Sequence, residues 1–281
     1  MIELYNTSAF ACSKKVTVLY SNSFSMGIQA LDKRLHDAIY GIYGFVRFAD
    51  EIVDTFHTHN KQVLLDEFKR DTYKAIEQRI SLNPILHAFQ LVVHTYGIQH
   101  EYIEAFFRSM EMDLQNIQYH PENYNEYIYG SAEVVGLMCL QVFCEGNHEL
   151  FKKLIAPARA LGAAFQKVNF LRDIKSDFEE RGRVYFPGVD FHQFDAHSKK
   201  LIEQDIEKDF KEAYQGILQL PLGARFGVYL AYTYYLKLFY KICNTPAEKI
   251  IHTRIRISNF RKVVLLAKAY CSKKLFGYYA Q

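Results

Sequence analysis

Apolar side chains recur every three or four residues along most of the chain, and an alternating strand pattern does not repeat anywhere. Ile39, Ile42, Tyr43 and Val46 make one such stripe. Phe45, Phe48, Ala49 and Ile52 continue it nearby. The segment from Gly27 to Phe56 is too long and too apolar for a surface helix, and reads as a helix buried in a bundle. The same spacing predicts helices over Lys61–Ile80, Pro84–Tyr96, Glu101–Gln115, Tyr124–Phe143, Glu149–Lys175, Ser198–Gln219, Arg225–Cys243 and Arg261–Phe276. Asn83-Pro84 suits a helix start, because proline fits the first turn. Polar segments around Gln118–Asn123, Glu145–His148, Arg181–Phe194, Leu220–Gly223 and Asn244–Ile251 read as connections. There is no internal repeat and no linker between two composition regimes. We therefore expect one all-α domain over residues 1–281. Residues 1–19 are an N-terminal segment for which loose order is an open option.

Composition narrows the function classes. The 281 residues are 49% hydrophobic and 23% charged, the balance of a globular protein with a sizeable core. Tyr (21) and Phe (22) are plentiful, so a cavity for an apolar or cationic guest would have aromatic surface available; core packing is the other use for it. A net charge of +3, with no basic patch interleaved with base-stacking aromatics, argues against nucleic acid as a partner. Positive charge gathers late, at Arg254, Arg256, Arg261, Lys262, Lys268, Lys273 and Lys274. That is either a solvated helix face or a contact for anionic phosphates or an anionic membrane surface. Five cysteines without a C-x-x-C pair speak for a reducing compartment rather than a disulfide framework or a zinc site. The first ten residues lack the sustained apolar run of a signal peptide. No segment reaches the ~18 uninterrupted apolar residues of a membrane span. The expected location is the cytoplasm, with peripheral membrane contact as an option.

Two carboxylate stripes carry the chemistry. In Arg47-Phe48-Ala49-Asp50-Glu51-Ile52-Val53-Asp54, the two aspartates stand four apart and share a helix face, with Arg47 on that face as well. The surrounding sequence is strongly apolar, where charge is costly unless paired or metal-bound. The second stripe is Asn169, Asp173 and Asp177, again four apart, with Gln166 before it and Arg172 beside it. One acidic pair at this spacing is common on solvated faces. Two such pairs on apolar helices, each with an arginine, point to a site. Oxygen donors without His or Cys suit Mg²⁺, which takes one or two carboxylates and fills its shell with water and phosphate. Two stripes facing each other across a bundle would hold Mg²⁺ bridged by diphosphate.

These residues resemble the squalene and phytoene synthase family, from about Tyr20 to the end of the chain. Five stretches carry the likeness: Tyr20-Ser21-Asn22-Ser23-Phe24-Ser25; Arg47 with Asp50 to Asp54; Tyr127-Ile128-Tyr129-Gly130-Ser131-Ala132-Glu133-Val134-Val135-Gly136; Gln166 to Asp177 followed by Arg181-Gly182-Arg183-Val184-Tyr185-Phe186-Pro187; and Arg254-Ile255-Arg256-Ile257-Ser258 with Arg261-Lys262. The resemblance implies a single-domain isoprenoid-synthase helical bundle around a central active-site cavity. It implies that Asp50, Asp54, Asn169, Asp173 and Asp177 hold two or three Mg²⁺ ions, or Mn²⁺ in their place, with diphosphate. It implies substrate contacts from Ser21, Ser23, Phe24, Arg47, Gln166, Arg172, Tyr235 and Arg254, with Tyr235 and Arg254 on the loosest part of the pattern. The implied reaction joins two geranylgeranyl diphosphates head to head. One loses diphosphate, the allylic cation is attacked by the other, and a cyclopropyl diphosphate forms. That intermediate ionises, rearranges and loses a proton to give phytoene, with no NADPH required.

Phe24, Tyr43, Tyr127 and Phe165 are candidate aromatic faces for the cation, or plain core. Tyr127 is a candidate for the proton loss. Gly130, Ala132, Val135, Gly136, Ala160, Gly162, Ala163 and Ala164 would leave room for long tails, or serve close helix packing. Glu133 and Asn22 depart from the family pattern, the first by adding a charge to a Gly-rich helix, the second by standing where some relatives have a basic residue. The alternatives are a squalene or dehydrosqualene synthase acting on farnesyl diphosphate, a terpene cyclase or head-to-tail prenyl synthase, and a non-catalytic partner protein on the same fold.

Overall fold

The computed structural model describes residues 1–115, 121–181, 185–187, 194–253 and 255. Among these, every regular element is helical, as the spacing predicts.

The chain begins with helix α1, Ile2–Tyr20. It packs against α3 (Lys33–Asp54) and α5 (Pro84–Tyr96). Its buried face is Ala9, Ser13 and Thr17, so small residues four apart do the packing where large apolar ones would have announced a helix. A Cβ on Gly44 of α3 would fall 3.0 Å from Ser13 Oγ, so the two helices meet almost backbone to backbone. Thr17 satisfies its buried hydroxyl by donating to Ser13 O at 2.9 Å. At the other end, Tyr5 Oη donates to Ser81 O at 2.6 Å and the His87 ring meets Asn6 Oδ1 at 2.8 Å.

The Gly27–Phe56 run is two helices. Helix α2, Asn22–Gln29, is capped by Ser21, whose hydroxyl accepts from Phe24 N. It stops at Ala30, and Asp32 caps α3 by accepting from Arg34 N at 3.1 Å. The apolar residues Ile28, Leu31 and Leu35 bridge the break, so hydrophobic spacing alone does not reveal it. Helices α4 (Lys61–Gln78), α5 and α6 (His100–Leu114) follow closely their expected spans. Asn83 caps α5 through Ile85 N, with Pro84 at its first position and Gly97 at φ +66° at its end.

The apolar stretch around Tyr124–Phe143 is interrupted. Helix α7, Pro121–Ile128, passes through a π turn at Tyr129–Glu133 into α8, Val134–Cys144. Close neighbours hold this turn: a Cβ on Gly130 would lie 2.3 Å from Ala105 O, and one on Gly162 would lie 2.6 Å from Ala132 O. Residues 122–144 are long and apolar enough to cross a membrane by length and composition, yet here they are mostly buried between α6 and α9. Helix α9, His148–Arg181, extends past the expected Lys175. It packs along α10, Ala196–Ile217, and the bundle closes with α11 (Leu222–Cys243) and α12 (Ala247–Ile250). The expected helix Arg261–Phe276 lies outside the described residues.

The core centres on Phe45, fully buried and stacked on Phe89 at 3.9 Å between centroids, with Phe106 and Phe107 at its edges. Each such ring contributes about 1.5–3 kcal/mol by leaving water. This aromatic centre fixes α3, the helix that carries the first acidic stripe.

Candidate active site

Helices α3 and α9 are built alike. Along α3 the inward face runs Ile39, Ile42, Tyr43 and Val46, then Arg47, Asp50 and Asp54. Along α9 it runs Leu154, Pro157, Leu161 and Phe165, then Gln166, Asn169, Arg172, Asp173 and Asp177. Both faces thus run from apolar to charged, and both line one cavity of about 980 Å³. From Leu154 to Asp177 that wall is about 35 Å long at the helical rise of 1.5 Å per residue. Helices α1 and α2 add Tyr20, Ser21, Asn22, Ser23 and Phe24, and α11 adds Tyr235.

The structure therefore brings Ser21, Ser23, Phe24, Arg47, Asp50, Asp54, Tyr127, Gln166, Asn169, Arg172, Asp173, Asp177 and Tyr235 around a single space. Arg254 lies outside the described residues. Of the small residues expected to shape the cavity, Ala132, Val135, Gly136 and Gly162 line it; Gly130, Ala160, Ala163 and Ala164 do not. Ala163 and Ala164 are buried elsewhere in the packing, and Gly130 serves the close approach of α6. Glu133 also stays off the cavity wall: its carboxylate accepts from Arg159 Nε at 2.5 Å, so its charge is paired.

The arginines differ in their partners. Arg47 is tied to Glu51 one turn on, lies 3.8 Å from Asp50, and stacks over the Tyr20 ring at 4.4 Å. Arg172 grips its neighbour Asp173, with Nε 3.0 Å from Oδ1. Burial works against the Arg172 charge, and the Asp173 carboxylate more than offsets it, so the guanidinium holds its proton more tightly than usual. Asp177 is buried. Tyr235 Oη donates to Asn169 Oδ1 at 3.3 Å, and burial raises its phenol. Burial likewise pushes Tyr43 up to about 12, against the pull of Arg47.

Aromatic rings line the space between the charged and apolar ends. Phe24 lies 5.6 Å from Tyr43, and Phe165 stacks on Tyr235 at 3.9 Å. Tyr185 stacks on Phe170 at 3.9 Å and lies 5.2 Å from Tyr127. One residue here gave no sign in the sequence: Asp113, from α6, is buried, lines the cavity, and accepts from Tyr127 Oη at 2.9 Å and Tyr185 Oη at 3.3 Å. A lone aspartate near the end of an amphipathic helix looks like a solvated charge, and only the two tyrosines mark it otherwise.

Among the described residues, no three His, Cys, Asp or Glu side chains close into a ready-made cation cage. The donors of the two stripes are nonetheless all hard oxygens, spread over α3 and α9. That suits an ion such as Mg²⁺ that takes few protein ligands and draws the rest from water and phosphate.

Comparison with known proteins gives the arrangement its context. The phytoene synthase of Arthrospira platensis is 25% identical over 94% of this chain and 93% of its own length. The presqualene diphosphate synthase of Rhodopseudomonas palustris is 30% identical, over 63% of this chain and 62% of its own length. A crystal structure of a dehydrosqualene synthase superposes with a TM-score of 0.80 at 22% identity, covering 96% of this chain and 98% of that one, and so shares the fold. The squalene/phytoene synthase family model matches residues 18–261, and the chain belongs to that family of prenyltransferase-type enzymes.

Proposed function

We propose that this protein joins two prenyl diphosphates head to head through a cyclopropyl diphosphate, with geranylgeranyl diphosphate as substrate and phytoene as product. The supporting observation is the shared cavity. Two acidic stripes, three cationic or amide side chains (Arg47, Arg172, Gln166) and two serines meet at the charged ends of α3 and α9, and an apolar tunnel wall continues along the same helices. A diphosphate with a long hydrocarbon tail has that division of polarity.

Asp50, Asp54, Asn169, Asp173 and Asp177 would hold Mg²⁺. When bound with diphosphate, such ions neutralise the charge that grows on a departing diphosphate. The chain's own residues do the remainder. Ser21 and Ser23 offer hydroxyl donors to phosphate oxygens. Arg47 exchanges Glu51 for substrate oxygens, and Arg172 keeps Asp173 oriented. The rings of Phe24, Tyr43, Phe165 and Tyr235 present aromatic faces to a cation, and the buried wall of Leu140, Leu154 and Ile217 excludes the water that would quench it.

A second reading is a C30 product from farnesyl diphosphate. It is favoured by relatives named presqualene diphosphate synthase and by the fold match to a dehydrosqualene synthase. One assay separates the two. Purified protein is given Mg²⁺ and either the C15 or the C20 diphosphate, with and without NADPH, and the hydrocarbon is identified. A C40 triene without NADPH is the expected result. A C30 product overturns the substrate assignment, and absence of turnover with both overturns the enzyme reading.

A further inference from the structure

Ring closure in a head-to-head condensation must dispose of a proton, and one carboxylate in the cavity is arranged to receive it. Asp113 sits on α6, 8% exposed, with neither motif nearby in sequence. Two phenols from different parts of the chain converge on it. Tyr127 of α7 donates to Oδ2, and Tyr185, beyond the second acidic motif, donates to Oδ1. All three residues line the cavity. The Tyr185 ring stacks on both Tyr127 and Phe170, which holds the hydroxyls in place. A buried carboxylate met on both oxygens by O–H donors is a preorganised acceptor, costly to build unless the group is used or the fold demands it.

We propose that Asp113, acting through Tyr127, takes up the proton released when the cyclopropane closes; this rests on the head-to-head reading. In that step a C–H bond breaks on the former allylic carbon of the ionised substrate, two bonds from the cationic carbon left by the attack. Its electron pair becomes the third carbon–carbon bond of the ring. The proton passes to Tyr127 Oη as the tyrosine's own hydroxyl proton moves to Asp113 Oδ2. The cation and the carboxylate are both neutralised, and the proton leaves to water before the next turnover. Tyr185 caps the other oxygen and keeps the carboxylate turned towards Tyr127, a positioning role.

The assignment does not depend on tail length or on NADPH, because the ring precedes every later branch. It is tested in the full chain with Mg²⁺ and isotopically labelled C20 or C15 diphosphate, reading the ratio of cyclopropyl-derived product to diphosphate released. Asp113→Asn should lower that ratio about 100-fold or more, the usual scale of positioned acid–base catalysis, with prenyl alcohol appearing as water captures the cation. Tyr127→Phe, which removes a single oxygen, should do the same and serves if the Asp113 variant fails to fold. Tyr185→Phe should lower the ratio less, by about tenfold or below. An unchanged ratio in Asp113→Asn or in Tyr127→Phe overturns the proposal, because a purely structural loss lowers both quantities together. Wild-type protein that releases no diphosphate overturns the head-to-head reading itself, and this proposal with it.

Discussion

The two acidic stripes look interchangeable in sequence and are unlike in structure. On α3, the Asp50 side chain is 37% exposed, and Arg47 pairs closely with Glu51 and only loosely, at 3.8 Å, with Asp50. On α9, Asp173 is 14% exposed and locked to Arg172, while Asp177 is buried. The first stripe is the more exposed of the two, and a ligand can draw its carboxylates inwards. The second is set in place by its own cation before any ligand arrives. In such a pair of walls, one is adaptable and the other is a template.

That contrast is open to direct test. The largest effects fall on activity. Asp50→Ala and Asp173→Ala should each lower turnover by about 10²–10³-fold or more, if both support the departing charge; product formation from labelled prenyl diphosphate measures it. A variant with near wild-type turnover would remove its stripe from the chemistry.

Stability should then divide the two. Asp173→Ala leaves a mostly buried guanidinium without its main partner, and should cost about 2–3 kcal/mol, short of the loss for a fully buried pair. Asp50→Ala should cost less than about 1 kcal/mol, as for an exposed ion pair. Denaturant titration of both variants checks this, and equal losses would dissolve the distinction.

The back of α9 supplies a smaller effect. There Lys167 Nζ lies 2.5 Å from Asp205 and 2.7 Å from Asp209, both on α10. Burial pushes the Asp209 carboxyl up to about 6 despite Lys167, and Asp205 adds to the rise. The folded protein therefore binds a proton that the unfolded chain, titrating near the ordinary carboxylate value, has already released. This contribution is full at acid pH and is lost as pH rises through about 6. Between pH 5 and 7 it amounts to about 1 kcal/mol. Asp209→Asn should flatten stability over that window relative to wild type, as read by melts across pH.

The smallest effect concerns Glu51. Replacing it with Gln weakens the hold on Arg47 while keeping shape, and should change KM by less than about fivefold, within the range of a partly exposed pair. A larger fall in kcat would make Glu51 part of the template rather than a resting place for Arg47.

The legible parts of this molecule were those whose signal is local. Helix class, the two stripes and the helix start at Asn83-Pro84 follow from spacing and from individual side chains. The gaps have physical causes. Helix α1 packs through Ala9, Ser13 and Thr17, which carry no apolar stripe. The break at Ala30–Asp32 hides beneath continuous hydrophobicity. Ala163 has the right size for a cavity wall but faces other packing, because one residue's rotation on a helix decides which side it serves. Asp113 acquires its meaning only from Tyr127 and Tyr185, fourteen and seventy-two residues away.

The π turn at Tyr129–Glu133 has a consequence for how this chain tolerates change. A π turn carries one residue more than the α-helix it interrupts. Deleting any one of those five residues would let α7 and α8 fuse into a continuous helix, at no cost in backbone hydrogen bonds. The fused rod would keep Tyr127 and Gly136 near their present rotation, because the wider turn absorbs its extra residue. What it would lose is the local placement of Ser131 and Ala132 on the cavity wall and of Gly130 against Ala105, so a shortened chain that folds well should be altered at that one patch.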